Sequence, residues 1–178
     1  LIAFTVGDRD VDLWTYELGR ESLTRFTDSP SWDSYPQWQP GHEWIAFSSM
    51  RDGLPALYRK HLRNGSIEKL LDAEHPCYPS SWSPDGQVLA YTEENPATGE
   101  DIWLLSLATG ERRAFLNTGH NESEAAFSPN GRFVAYESDE SGRQREVYVR
   151  PFPAGEPVTK VSIRGGRTPR WGPRGHEL

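Results

Sequence analysis

The sequence predicts an all-β fold built from about four copies of one four-stranded unit, on three observations. Two sets of aromatic residues recur with a period of 44 or 45 residues. A proline-containing turn follows each aromatic residue of the first set. The segments between turns alternate apolar and polar residues with the period of a β-strand, and none keeps a helical period over three turns. The first set is Trp38, Trp82, Phe127 and Trp171, and the second is Trp14, Tyr58, Trp103 and Tyr148.

The turns have a chemistry that joins antiparallel strands. Ser83-Pro84-Asp85-Gly86 places each residue type where a type I turn favours it, and Ser128-Pro129-Asn130-Gly131 is nearly the same. Gln39-Pro40-Gly41-His42 moves glycine to the third position, which suits a type II turn. The fourth copy is Gly172-Pro173-Arg174-Gly175. Apolar runs follow three of the turns, and the chain opens on a fourth such run: Trp44-Ile45-Ala46-Phe47, Val88-Leu89-Ala90-Tyr91, Phe133-Val134-Ala135-Tyr136 and Leu1-Ile2-Ala3-Phe4.

Each repeat accommodates four short strands, which in the third repeat fall near residues 78–82, 87–93, 100–107 and 111–116. Four strands in about 44 residues are the blade of a β-propeller. We expect the eight aromatic residues of the two sets to fill the core. The predicted organisation is one propeller region over residues 1–178, with repeats near 1–33, 34–77, 78–122 and 123–166. Residues 167–178 are expected to begin a further blade, with a strand near 167–171.

Composition excludes several classes of function. The 178 residues carry a net charge of −7, which argues against a general affinity for nucleic acid or anionic lipid. No run approaches 18 apolar residues, so we expect no membrane insertion. A single cysteine, Cys77, excludes an internal disulfide and a cysteine-rich zinc site. The sequence contains no nucleophile elbow, phosphate-binding glycine loop or zinc-protease motif, so we predict no catalytic residue, no cofactor and no bound metal.

The repeat resembles that of a known family. Trp82-Ser83-Pro84-Asp85-Gly86, with an Ala-aromatic pair and Asp101-Ile102-Trp103 after it, is similar to the WD40-like repeat of TolB-family propellers. The resemblance covers essentially the whole chain in four copies. Two copies depart from the family's turn, with Gly41-His42 in place of Asp-Gly and Arg174 in place of Asp.

The last repeat resembles a narrower group. Tyr148-Val149-Arg150-Pro151-Phe152-Pro153 and Pro169-Arg170-Trp171 are similar to TolB-like propellers attached to bacterial serine/threonine kinases and related sensor proteins. The resemblance implies a non-enzymatic binding or scaffold role in a bacterium and a periplasmic location. The residues themselves indicate no compartment. Because such rings usually contain more than four blades, we expect a fragment of a longer propeller whose open blade edges favour self-association.

Functional residues are expected in the loops rather than at the proline turns. The turns follow one template, whereas the loops between blades and between the middle strands differ from repeat to repeat. In an up-and-down blade these two sets of loops emerge on the same side, around the channel mouth. Exposed loop aromatics are the usual anchors of a protein or peptide site. We therefore predict that a protein, peptide or small ligand contacts Trp32, Asp33, Tyr35, Arg51, His75, Tyr78, His120, Asn121, Glu122 and Arg167.

Two other functions remain open. The chain is alternatively the propeller of a larger enzyme, as a peptidase gate or a kinase-linked sensor. A weaker alternative is a metal-dependent lyase or hydrolase, since His75 and His120 occupy corresponding loop positions near acidic residues. Basic residues in the C-terminal third, among them Arg143, Arg145 and Arg164, form either a solvated surface or a patch for an acidic partner.

Overall fold

The structure, a computed structural model, describes residues 1–7, 10–142, 144–153 and 155–178. These residues form β-strands and turns and contain no helix, so none of them belongs to a helix able to cross a membrane. The strands are β1 Ile2–Val6, β2 Asp12–Glu17, β3 Ser22–Arg25, β4 Asp33–Trp38, β5 Trp44–Ser49, β6 Ala56–His61, β7 Ile67–Lys69, β8 Cys77–Trp82, β9 Val88–Asn95, β10 Gly99–Ser106, β11 Arg112–Leu116, β12 Glu122–Phe127, β13 Phe133–Ser138, β14 Glu146–Pro151 and β15 Thr159–Lys160.

The strands form four antiparallel sheets in chain order, which confirms the predicted all-β fold of four blades. Blade 1 is β1-β2-β3, blade 2 is β4-β5-β6-β7, blade 3 is β8-β9-β10-β11 and blade 4 is β12-β13-β14-β15. The chain divides into two compact units, Leu1–Pro79 and Ser80–Leu178, with the boundary inside β8. Blades 1 and 2 lie in the first unit, and blade 4 with most of blade 3 lies in the second.

The four proline turns share one hydrogen-bond pattern. In each, the first residue's amide donates to the carbonyl five positions later, as from Ser83 to Val88 at 2.8 Å and from Ser128 to Phe133 at 2.9 Å. The other two copies are Gln39 to Trp44 at 3.0 Å and Gly172 to Glu177 at 2.9 Å. Gly41 has a φ of +96°, as the third position of a type II turn requires.

The deepest aromatic residues belong to the apolar runs rather than to the two predicted sets. Phe47, Tyr91 and Tyr136, one on the second strand of each complete blade, are fully buried. Of the predicted core set, Tyr58, Trp82, Phe127 and Tyr148 are buried, but Trp14, Trp38, Trp103 and Trp171 are only half-buried. The expectation that all eight fill the core is therefore wrong for Trp14, Trp103 and Trp171, whereas Trp38 packs against the core of the first unit although it is only half-buried. The Trp103 ring packs against the Arg112 guanidinium, which lies 4.3 Å from its centre.

Residues 167–171 form no strand, so the prediction of a strand there is wrong. The first strand of a blade is hydrogen-bonded to its second strand, as β4 is to β5. The described residues after the Gly172–Gly175 turn form no strand that could serve as this partner. The segment nevertheless keeps the local geometry of a first strand. Thr168 has a φ of +49°, close to those of Tyr35 (+56°) and Glu124 (+54°) at the equivalent positions, and the Trp171 indole donates to the Ala126 carbonyl at 2.9 Å.

Candidate functional site

Each complete blade has two ends that the strand register distinguishes. In blade 2, Asp33 pairs with Ser49 and Ser49 with Ala56, so the start of β4, the end of β5 and the start of β6 lie together. We call this the loop end, and we call the opposite end, which carries the proline turn, the turn end. The same pairing of Glu122 with Ser138 and of Ser138 with Glu146 defines the loop end of blade 4. Within these blades the two sets of variable loops therefore emerge on one side, as predicted.

An aromatic patch lies at the loop end of the first unit. Trp32 is 50% exposed, Tyr35 48% and Met50 40%, and the rings of Tyr35 and Tyr78 lie 5.0 Å apart. The Met50 amide donates to the Trp32 carbonyl at 3.0 Å, which places these two residues side by side. We define the aromatic patch as Trp32, Tyr35, Met50 and Tyr78.

Tyr35 and Tyr78 lie on strands, so their predicted placement in loops is wrong. Tyr35 belongs to β4 and Tyr78 to β8. A β-bulge explains the exposure of Tyr35, because the register of β4 against β5 shifts between Ser34 and Gln37 and leaves an extra residue on β4. The left-handed backbone costs a non-glycine residue about 1–2 kcal/mol. Glu124 of blade 4 has the same backbone and a matching register shift, so the bulge is shared with blade 4, whereas the exposed tyrosine ring is particular to blade 2.

Asp33 and Arg51 bind each other beside this patch. Asp33 is fully buried at the start of β4, and the Arg51 Nη2 lies 3.2 Å from each of its carboxylate oxygens. The Arg51 Nε donates to the Ser49 hydroxyl at 2.8 Å, and its guanidinium lies 4.7 Å from the centre of the Tyr58 ring. The pair therefore fixes the loop that carries Met50.

His75 precedes β8 in the first unit. It is half-buried, and its carbonyl accepts a hydrogen bond from the Cys77 thiol at 3.2 Å. The Cys77 amide donates to the Pro55 carbonyl at 2.8 Å, which ties this segment to the loop between β5 and β6. His120 lies in the second unit, so the convergence of the two imidazoles stays a prediction. No group of three or more His, Cys, Asp or Glu side chains able to hold a metal occurs in the described parts of the chain.

His120 and Asn121 meet Asp139 at the loop end of blade 4. The Asn121 amide and side chain donate to the two Asp139 carboxylate oxygens at 3.0 and 2.7 Å, and His120 Nδ1 lies 3.8 Å from the carboxylate. Burial raises the pKa of Asp139, but the Asn121 hydrogen bonds outweigh burial and leave it below its ordinary value. Asp139 is thus held as a carboxylate, and both of its oxygens already accept hydrogen bonds from Asn121.

Glu122 begins β12 and is fully buried, which corrects its predicted position in a loop. Its Oε1 accepts a hydrogen bond from the Thr118 hydroxyl, while its Oε2 has no partner among the described residues. Burial raises the pKa of Glu122 above its ordinary value, and the hydrogen bond from Thr118 opposes that shift. Glu122 therefore lies beneath the surface, and its carboxyl has a raised pKa.

A polar pocket of about 540 Å³ opens beside Asp139 and includes Arg167. We call it the arginine pocket. Arg145 on its wall forms ion pairs with Glu100 at 2.9 Å and Glu137 at 2.7 Å. Arg143, part of the predicted basic series, lies outside the described residues. The pocket is lined by Asp139, Gln144, Arg145, Arg164, Gly165, Gly166 and Arg167.

The sequence analysis missed a repeated acidic contact. Near the start of the next-to-last strand of a blade, an acidic residue bonds to the segment that follows the last strand. Asp12 accepts from Thr27 at 3.2 Å, Asp101 from Asn117 at 3.1 Å, and Glu146 from Ser162. The signal was an acidic residue two positions before Trp14, Trp103 and Tyr148. We call each of these contacts a clasp.

The comparisons with solved structures agree with this architecture. The chain superimposes on TolB from Acinetobacter baumannii with a TM-score of 0.81 and 23% identity, covering 93% of this chain and 42% of that one. A protein described as TolB from Agrobacterium tumefaciens gives a TM-score of 0.83 and 19% identity, covering 96% of this chain and 62% of that one. The molecule therefore has a β-propeller fold. Within that class its blades are TolB-like.

The comparisons of sequence match a smaller part of the chain than the comparisons of structure do. No protein-family model matches the sequence. An uncharacterized peptidase, YuxL, of Bacillus subtilis (strain 168) is 30% identical over 82 residues, which are 46% of this chain and 12% of that protein. The chain thus spans about an eighth of this curated relative and about half of the two TolB chains.

Proposed function

We propose that this propeller is a non-catalytic binding module that takes a protein or peptide partner on its loop end, with the aromatic patch as the anchor. The observation that carries the proposal is the exposure of Trp32 and Tyr35, two large rings at the loop end of one blade. Aromatic side chains contribute most of the energy at many protein interfaces because they bury a large area at a low entropic cost.

The surroundings of the patch support this use. The Asp33–Arg51 ion pair and the hydrogen bond from Met50 to Trp32 hold the loop before any partner arrives. A surface that is already ordered loses less entropy on binding. Tyr35 is further fixed by its bulge, which orders the backbone that carries the ring. In this arrangement Asp33 and Arg51 position the site, while Trp32, Tyr35 and Tyr78 contact the partner.

One alternative has an observation in its favour. The identity to an uncharacterized peptidase over 82 residues fits a propeller that forms part of a longer enzyme. In that setting the loop end would receive the peptide before a separate catalytic domain acts on it. The aromatic patch fits both proposals, and a catalytic domain found in the same polypeptide would favour the second.

The test begins with a displayed random-peptide library selected on the purified chain. Affinities of the selected peptides are then measured by calorimetry for the wild type, Trp32→Ala, Tyr35→Ala and His120→Ala. We expect Trp32→Ala to weaken binding at least tenfold, or about 1.4 kcal/mol. The melting temperature should change little, because exposed positions contribute within about 0.5 kcal/mol to stability. His120→Ala tests a residue of the second unit by the same measurement.

Ile67→Ala is the matched control, since Ile67 is an exposed apolar residue at the turn end of the same blade. It should leave affinity unchanged. Selected peptides that bind Trp32→Ala as tightly as the wild type, or that lose affinity with Ile67→Ala instead, would contradict the proposal.

A further inference from the structure

We propose that the arginine pocket binds a small oxyanion ligand, a carboxylate or a phosphate, between the guanidinium groups of Arg164 and Arg167. This site goes beyond the proposed function, because it lies in the second unit and uses no residue of the aromatic patch. The inference depends on the charges of the lining residues, on their existing partners and on the rigidity of the loop.

The charge of the lining is opposite to that of the chain. The lining holds three arginines and one aspartate, and Glu100 and Glu137 pair with Arg145, so the positive charge that faces the pocket comes from Arg164 and Arg167, within a chain of net charge −7. A concave surface of one sign concentrates ions of the opposite sign. The single acid, Asp139, is already bonded by the backbone and side chain of Asn121.

The three arginines have different roles. Arg145 is largely buried, and its ion pairs with Glu100 and Glu137 make it part of the wall. Burial raises the pKa of Glu100, but hydrogen bonds from Arg145 and Ser123 outweigh it and leave the pKa lowered, so Arg145 faces a carboxylate. Arg164 and Arg167 are exposed, and neither forms an ion pair within the described residues. Their guanidinium groups are the ones left for a ligand.

The loop that carries these two arginines is fixed at both of its ends. The Gln144 side chain donates to the Arg164 carbonyl at 2.9 Å, and the Gly166 amide donates to the Arg145 carbonyl at 3.0 Å. A Cβ on Gly165 would lie 2.3 Å from the Gln144 amide nitrogen, and one on Gly166 would lie 2.8 Å from a Val147 methyl group. The two glycines therefore let the loop pack closely against the start of β14. This packing sets the positions from which Arg164 and Arg167 extend.

The chemistry of the ligand follows from these groups. A guanidinium presents parallel N–H donors that match the two oxygens of a carboxylate or phosphate, and such charge-assisted bonds are stronger than neutral ones. Lysine offers a point charge without that fork. The volume of about 540 Å³ lies within the range of small-molecule sites. Free carboxylic acids and phosphate share this recognition chemistry, and the probes of the experiment separate them.

The test is calorimetric titration of the purified chain with succinate and, separately, with inorganic phosphate, at matched ionic strength in chloride. We expect saturable binding of at least one probe. The double variant Arg164→Gln/Arg167→Gln should weaken that binding at least tenfold, and Arg164→Lys/Arg167→Lys should fall between it and the wild type. Arg174→Gln, an exposed arginine at the last turn of the same unit, should bind as the wild type does.

Three results would overturn the inference: no saturable binding of either probe, unchanged binding in the double glutamine variant, or an equal loss in Arg174→Gln, which would indicate general charge attraction. Melting curves of each variant show whether the fold is retained. Trp32→Ala should bind both probes normally, so failure of this site and failure of the aromatic patch are separate outcomes.

Discussion

The turn end and the loop end of the blades use the same backbone in different ways. At the turn end, Ser83 and Ser128 occupy equivalent positions and make the same bonds: each hydroxyl accepts from an amide five residues later and bonds to an Asp or Asn two residues later. At the loop end, equivalent bulges carry Tyr35 in blade 2 and Glu124 in blade 4. Because the turn end and the core hold each blade together, side chains at the loop end are free to differ.

The largest expected effect concerns the core. Trp82→Ala should lower the free energy of unfolding by about 3–5 kcal/mol, since it truncates a large buried aromatic residue. Trp32→Ala, at the exposed loop end, should change it by no more than about 0.5 kcal/mol. Urea denaturation followed by circular dichroism measures both. A loss below 1 kcal/mol for Trp82→Ala, on the scale of about 3–5 kcal/mol expected for such truncations, would mean that Trp82 does not belong to the core.

A smaller effect tests whether equivalent proline turns contribute equally to stability. Ser83→Ala and Ser128→Ala should each cost about 1–2 kcal/mol, because each removes the acceptor of a partly buried amide, that of Val88 or Phe133. The two losses should agree, since the bonds are the same. Denaturation midpoints that differ strongly between the two variants would show that Ser83 and Ser128 have different local environments despite the repeated sequence.

The smallest expected effect is a change in pH dependence at the loop end. Because burial raises the pKa of Glu122, the folded state keeps this proton to a higher pH than the unfolded state does. Its stabilising contribution is complete below the unfolded pKa and is lost as the pH rises through the folded one. Glu122→Gln should therefore reduce the loss of stability that the wild type shows as the pH rises above the ordinary pKa of a glutamate.

Melting temperatures across pH 4 to 8, a range set by the ordinary glutamate pKa of about 4.3, compare Glu122→Gln with the wild type. The exposed Glu94 at the end of β9 supplies the control, and Glu94→Gln should reproduce the wild-type profile. A Glu122→Gln profile parallel to that of the wild type would mean that this carboxyl does not link stability to pH.

Periodicity was sufficient to predict the blades. The four strands expected in the third repeat agree with β8, β9, β10 and β11 to within two residues at each end. The proline turns and the shared side of the variable loops were also predicted correctly. These features depend on residues close together in the sequence, where spacing and turn chemistry carry the information.

Contacts between distant residues were not predictable in this way. The burial of Asp33 depends on Arg51, and the bulge at Tyr35 depends on how β4 pairs with β5, so neither is visible in a local pattern. The same holds for the arginine pocket, whose walls come from the loop after β13 and the loop after β15. The strand expected at 167–171 failed because a local pattern does not supply the hydrogen-bonding partner that a strand needs.

The clasps have a consequence for how such a protein changes during evolution. Each clasp joins the next-to-last strand of a blade to the residues just after its last strand, as Asp101 does with Asn117 and Glu146 with Ser162. A genetic junction placed directly after such a clasp keeps the strands of the preceding blade, and the hydrogen bonds between them, on one side of the junction. Duplication or deletion of whole 44–45-residue segments from that point therefore alters the number of blades without opening any one of them.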